Sequence, residues 1–90
     1  MTQQELQERA QKEIKRVNSF YIKLKKFDKG ELHPTIAASY NTERIILLNR
    51  LNNIEDVAKK EFGIKIQGLY NAKERLWSAL ASIKYRMSEL

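Results

Sequence analysis

The chain has 90 residues, no cysteine, and 17 basic against 11 acidic side chains, for a net charge of +6. Disulfides and thiolate metal sites are therefore excluded, and a chain of this length is expected to fold as one domain over residues 1–90 around a small core. The few glycines and prolines and the share of apolar residues are typical of a helical globular protein. The polar N-terminal segment and the lack of a long apolar run predict a cytoplasmic protein with no membrane partner.

The first segment, about residues 2–29, has an apolar residue at every third or fourth position, as in an amphipathic helix. This stripe comprises Leu6, Ala10, Ile14, Val17, Tyr21 and Leu24. Thr2 and Glu5 have the spacing of a capping box, in which each side chain accepts a hydrogen bond from the other residue's backbone N–H. Gly30 is the expected stop, because glycine readily adopts the left-handed backbone angles that end a helix.

A second helix is predicted over about residues 35–62. Pro34 marks the loop that precedes it, and Gly63 provides its stop. The positions that keep a helical period are Ile36, Tyr40, Leu47, Leu51, Ile54 and Ala58. Asn41 and Thr42 offer a later start, since both residue types are good N-caps.

The third helix, about residues 66–89, has the most regular pattern. Its stripe follows the a and d positions of a heptad repeat, interrupted only by Lys73. The apolar members are Ile66, Leu69, Leu76, Leu80, Ile83, Met87 and Leu90. Gly68 leaves its start open, and one continuous helix from about residue 41 to 89 is the alternative, but the glycines favour two separate helices.

Three long helices joined by short loops predict an all-α fold, an antiparallel three-helix bundle. The alternative is an extended helical hairpin that completes its core by dimerisation. The apolar side of the third helix widens to Tyr70, Ala72, Trp77 and Ala79, which fits an internal bundle contact or a homodimer interface. Core packing is the more common role for such aromatic residues, although Trp and Tyr are also typical of binding hot spots.

A basic face runs along the first helix, opposite its apolar stripe. Its members are Arg9, Lys12, Lys15, Arg16, Lys23 and Lys26. Such a face is typical of docking to an acidic protein surface or to the phosphates of a nucleic acid. A purely solvated face is the competing interpretation, because acids at the start and bases towards the end stabilise any helix through its dipole.

The sequence carries no recognisable catalytic motif. His33 is the one histidine, and without converging partners it is expected to be a surface or capping residue, not a general base or a metal ligand. The acids at positions 55–61 lie beside Lys59 and Lys60, as on a solvated, ion-paired surface. We therefore expect a protein that is not an enzyme and that uses neither a metal nor a cofactor.

These features favour a small, non-enzymatic interaction or regulatory protein that binds a surface of a partner protein. The basic residues expected to contact an acidic partner surface are Lys12, Lys15, Arg16, Lys23 and Lys26. Tyr85, which lies opposite the apolar stripe of the third helix, and Trp77 are the expected aromatic contacts. The alternatives are a nucleic-acid-binding accessory protein that uses the same basic face, and a structural subunit of a homo-oligomer.

Overall fold

The computed structural model describes residues 1–88 and shows an all-α bundle of three helices. Helix α1 spans Gln3–Lys25, α2 spans Pro34–Val57 and α3 spans Leu69–Arg86. α2 continues into one wider, π-helical turn, Ala58–Phe62. The bundle is a rod whose Cα atoms extend over 49 × 17 × 17 Å. Within residues 1–88, no helix is both long and apolar enough to cross a membrane.

Contacts between side chains show that α1 and α2 are antiparallel. Glu13 on α1 lies 4.0 Å from Arg50 on α2, whereas Phe20, further along α1, packs on Tyr40, which comes earlier in α2. The two helices therefore run in opposite directions.

The chain reverses again at α3, which runs parallel to α1. Arg75 donates a hydrogen bond to the side-chain oxygen of Asn18, and Arg86 donates one to the backbone carbonyl of Phe27. Residue numbers therefore increase in the same direction along both helices. All three helix pairs pack against one another. The predicted antiparallel three-helix bundle is confirmed, and the chain does not adopt the alternative, an extended hairpin.

The core follows most of the predicted apolar stripes, but Ile36, predicted on the stripe of α2, is 45% exposed, and Phe20 and Leu32 are buried although no predicted stripe includes them. Its largest fully buried side chains are Leu6, Val17, Phe20, Leu24, Leu32, Leu51, Leu69 and Leu76. Small buried residues let the helices approach one another closely; they are Ala10, Ala37, Ala58, Ala72 and Ala79. At one end, the rings of Phe20 and Phe27 pack on the ring of Tyr40, with centroid distances of 5.7 and 5.9 Å. Burial, and to a smaller extent the charge of Glu43, raises the pKa of Tyr40.

The start of α1 is the predicted capping box. The Glu5 backbone N–H donates to the Thr2 hydroxyl at 3.1 Å, and the Thr2 backbone N–H donates to the Glu5 carboxylate at 3.1 Å. The hydrogen bond with the Thr2 backbone, and then that with the Thr2 side chain, lowers the pKa of Glu5. The carboxylate is therefore part of the cap and belongs to the local structure of α1.

The end of α1 differs from the prediction. The helix ends at Lys25 and not near residue 29, and Gly30, with a φ of 79°, lies in the following loop. The chain turns early because Phe27 makes two tertiary contacts, one between its ring and Tyr40 and one between its carbonyl and Arg86. Packing of Phe27 against the other two helices, and not a glycine, ends α1.

α2 begins at Pro34, slightly before the predicted residue 35. His33 is its N-cap, since the imidazole Nδ1 accepts a hydrogen bond from the Thr35 backbone N–H at 3.1 Å. The later start at Asn41 is not used. At the other end, Gly63 closes the π-helical turn with a φ of 62°, as predicted for the stop of this segment.

α2 and α3 are separate helices, as the glycines predict. Gly63 and Gly68 both have positive φ, at 62° and 93°, and break the chain on either side of a short connection. α3 therefore starts at Leu69 and not at residue 66, and Ile66 is half-buried within the connection.

The end of α3 is tied to the loop between α1 and α2. The Leu32 N–H donates to the Arg86 carbonyl at 2.8 Å, and the Ser88 N–H donates to the Leu32 carbonyl at 2.7 Å. α3 therefore stops at Arg86 and not at residue 89, and Met87 is 37% exposed, outside the core stripe predicted for it. Leu90, predicted on the same stripe, lies outside the described residues.

We expect Gly68→Ala to destabilise the bundle more than Gly63→Ala. Both positions have positive φ, where an L-residue costs about 1–2 kcal/mol. At Gly68, a new Cβ would lie 3.2 Å from the Ile14 Cδ1 atom, whereas no atom lies within 4 Å of it at Gly63. Urea denaturation followed by circular dichroism measures the loss of unfolding free energy in both variants. Equal losses would show that the Ile14 side chain moves aside without cost.

Candidate functional site

The predicted basic residues of α1 lie on one exposed side of the bundle. Lys12, Lys15, Arg16 and Lys23 are all exposed. Lys26 is the C-cap residue, just beyond the last turn of α1, so it marks the end of this side and not its centre. Lys15, Arg16 and Lys23 line the cleft between α1 and α2, and Lys12 and Lys15 also line a hollow beside residues 65–67. We call these four helical residues, together with Arg50, the basic surface.

Arg50 is the member of the basic surface that sequence reasoning missed. It comes from α2 and lies beside Arg16 in a shallow cleft of about 260 Å³ between the two helices. The residues that line the cleft are Lys15, Arg16, Ser19, Phe20, Lys23, Glu43, Ile46, Leu47 and Arg50. Nothing in the period of α2 indicates which flank faces α1, so only the pairing of the helices brings Arg50 to this place.

Glu13 connects the two arginines of the basic surface. It is 7% exposed, and its Oε1 atom accepts a hydrogen bond from Arg16 at 2.8 Å, while its Oε2 atom lies 4.0 Å from Arg50. Within the described residues Oε2 is buried and has no hydrogen-bond partner. The i, i+3 spacing to Arg16 was visible in the sequence as a signal for this pair, but the burial follows from the proximity of α2.

The second candidate surface is the exposed side of α3. Trp77 is 48% exposed, Tyr70 60% and Tyr85 58%. The rings of Tyr70 and Trp77 meet edge to face with centroids 6.2 Å apart. A hydrogen bond with the Glu74 side chain, and then the charge of that carboxylate, raises the pKa of Tyr70.

Tyr70 and Trp77 therefore stay out of the core, contrary to the more common role expected for them. The buried line of α3 is centred on Leu76, with Ala72 and Ala79 on one flank of it. Trp77 lies roughly 100° around the helix from Leu76, beyond the arc that the other two helices cover. The stripe of α3 that the bundle buries is therefore narrower than the apolar pattern of the sequence predicts.

Lys73, which interrupts the stripe of α3, is buried and paired across the bundle. Its ammonium group lies 2.9 Å from the carboxylate of Glu55 on α2 and 5.6 Å from the centroid of the Trp77 ring. Glu55 was expected to pair with lysines of its own helix on a solvated surface, and the structure instead pairs it with α3. The indole is thus held between Lys73 and Tyr70, in a fixed orientation.

The basic surface and the aromatic residues lie on different sides of the rod. Arg50, which joins the basic surface, and Glu55, which pairs with Lys73 beneath Trp77, are roughly 140° apart around the axis of α2 at 100° per residue. α2 therefore stands between the two surfaces. One flat partner surface cannot contact both at once.

Among residues 1–88, no three His, Cys, Asp or Glu side chains are arranged to hold a metal ion. The clefts of the described chain are open and lined by mixed polar and apolar side chains, as on a docking surface.

No protein-family model, curated protein or solved structure matches this chain.

We expect Glu13→Gln to lower the free energy of unfolding by about 1–2 kcal/mol, since the amide oxygen can still accept from Arg16 but the charge that strengthens this hydrogen bond is lost, and the new NH2 group would face the donors of Arg50. Arg16 and Arg50 have side chains that are 57% and 51% exposed, so both stay hydrated when the carboxylate is removed. Urea denaturation measures the change. Glu8→Gln, at an exposed position of α1, is the control and should change stability by less than about 0.5 kcal/mol; equal effects would contradict the role of Glu13.

Proposed function

We propose that this protein is a small, non-enzymatic interaction protein whose basic surface binds an acidic surface of a partner protein. The observation that carries the proposal is the convergence of cationic side chains from two helices, α1 and α2, on the same cleft. A charged face on one helix is explained by the helix dipole alone, but the dipole of α1 gives no reason for Arg50 to join it from mid-α2.

The lysines of the basic surface are available to a partner. Glu13 compensates part of the charge of Arg16 and Arg50. Lys12, Lys15 and Lys23 are exposed and make no ion pair within the described part of the chain. Exposed, unpaired cations of this kind increase the association rate with a negatively charged partner.

The carboxylates around the basic surface favour a protein partner over a nucleic acid. Glu43 lines the same cleft, and Glu5, Glu8 and Glu13 line the neighbouring hollow towards the start of α1. A nucleic acid presents closely spaced negative charge along its whole length, so these carboxylates would repel it. A folded protein surface carries both signs of charge and can place its own cations opposite them.

The test compares two triple variants with the same net charge. Lys12→Gln, Lys15→Gln and Lys23→Gln together remove three charges from the basic surface. The matched control removes three exposed charges elsewhere, at Lys25, Lys59 and Lys60. Both variants should keep the helical circular dichroism of the wild type, because every substituted side chain is exposed.

Tagged wild type, variant and control are used for nuclease-treated pull-downs from the native host, quantified by mass spectrometry. We expect a partner that the wild type and the control retain, and that the basic-surface variant loses by about tenfold or more. Equal retention by both variants would contradict the proposal. Capture that disappears with nuclease, together with oligonucleotide binding that weakens log-linearly with salt, would support the nucleic-acid alternative.

A second candidate function, self-association through α3, is favoured by the exposed and ordered Trp77. If α3 forms a homodimer interface, the emission of this single tryptophan should shift to shorter wavelength as the protein concentration rises, because its indole leaves water. Sedimentation equilibrium should then show a dimer that Trp77→Ala shifts towards monomer. Ile22→Ala, which removes an apolar side chain of α1 that is at least as exposed as Trp77, is the control; an unchanged emission and mass would refute self-association.

A further inference from the structure

We propose that the cleft between α1 and α2 binds a phosphate monoester dianion, presented on a phosphorylated side chain of the partner protein. This inference rests on the proposed function and names the group that the basic surface recognises. The side chains that would contact the phosphate are Arg16, Ser19, Lys23 and Arg50.

The spacing of these residues places three donors along one flank of the cleft. Arg16, Ser19 and Lys23 are separated by three and four positions, so they follow one line of α1 over about 10 Å. Arg50 approaches from α2 on the other flank. The cleft holds about 260 Å³, several times the roughly 30 Å³ of one water molecule, so a phosphoryl group and its ester linkage fit between the two flanks.

The charge balance of the cleft matches a dianion. Its cations are Lys15, Arg16, Lys23 and Arg50, and its lining includes one acid, Glu43. The carboxylate of Glu13 further compensates the two arginines. The net excess of about two positive charges fits a phosphate monoester, which carries about −1.5 to −2 at pH 7, better than a single carboxylate.

The donor types also suit a phosphate. Arg50 lies 4.0 Å from Glu13, beyond hydrogen-bond distance, so its guanidinium fork is free to turn to a ligand. Arg16 donates a hydrogen bond to Glu13 at 2.8 Å, and this contact keeps the Arg16 guanidinium at the cleft. Phe20, Ile46 and Leu47 also line the cleft, and since the first and last are buried, Ile46 is the exposed apolar side chain beside the ligand.

The first experiment is an NMR titration of the ¹⁵N-labelled full chain with capped phosphoserine, and separately with capped glutamate, at physiological salt. We expect phosphoserine to shift the amide resonances of residues 15–23 and 46–50 with a dissociation constant of about 1 mM or lower. Capped glutamate should bind at least about tenfold more weakly, because it lacks the second charge. Equal affinities for the two probes would overturn the proposal.

Variants separate a defined site from general charge attraction. Arg50→Gln should weaken phosphoserine binding by about tenfold, and Ser19→Ala by a few-fold. Lys60→Gln, which removes one exposed charge from the π-helical turn after α2, is the control and should change the affinity by less than about twofold. Equal weakening by Arg50→Gln and Lys60→Gln would show that only net charge matters and would overturn the site.

A phosphatase treatment tests whether the partner is bound through a phosphate group. Its result can contradict this inference without contradicting the proposed function. Treating the native-host lysate with phosphatase before the pull-down should reduce capture of the partner about as strongly as Arg50→Gln does. Capture that is unchanged by phosphatase would overturn this inference and leave the binding of an acidic partner intact. Tighter binding of a short oligonucleotide than of phosphoserine at the same amide resonances would assign the cleft to nucleic acid instead and overturn it as well.

Discussion

The narrow apolar seam between the three helices is the constraint on which the rest of this structure depends. Each helix contributes one line of buried residues, and alanines such as Ala10, Ala58 and Ala72 bring the backbones close together. Because the seam is narrow, the residues directly beside it end up in grooves between helices, half in contact with protein and half with water. Arg50 and Trp77 occupy such positions, whereas Glu13 and Lys73, also beside the seam, are buried by the neighbouring helix.

Two buried charges beside the seam specify how the helices are arranged. Glu13 meets Arg50 in the groove between α1 and α2, and Lys73 meets Glu55 in the groove between α2 and α3. Exchanging the places of α1 and α3 around α2 gives the bundle of opposite hand, with the same apolar contacts. In that bundle Glu13 would lie on the flank of Glu55, and Lys73 on the flank of Arg50, so each buried charge would lose its partner and lie on the side of a like charge. The two pairs thus select one hand, even though the desolvation of their charges limits what they add to stability.

The same arrangement divides the surface of the rod into a basic side and an aromatic side. The pair at Glu13 leaves Arg16 and Arg50 at the mouth of the α1–α2 cleft, where the lysines of α1 add to their charge. The pair at Lys73 holds the indole of Trp77 against Tyr70 on the far side of α2. The basic surface and the ring pair of Tyr70 and Trp77 are therefore separated by a whole helix.

The sequence by itself determined the fold class, the number of helices and most of the core, because apolar periodicity, the Thr2 and Glu5 cap and the stop at Gly63 are local signals. It also identified the exposed lysines of α1, since these lie opposite the stripe. Only the tertiary structure decided that α1 stops at Lys25, that Tyr70 and Trp77 stay outside the core, and that Arg50 joins the basic surface. The physical reason is common to all three: each depends on which flank of one helix faces another, and the period of a single helix carries no information about its neighbour.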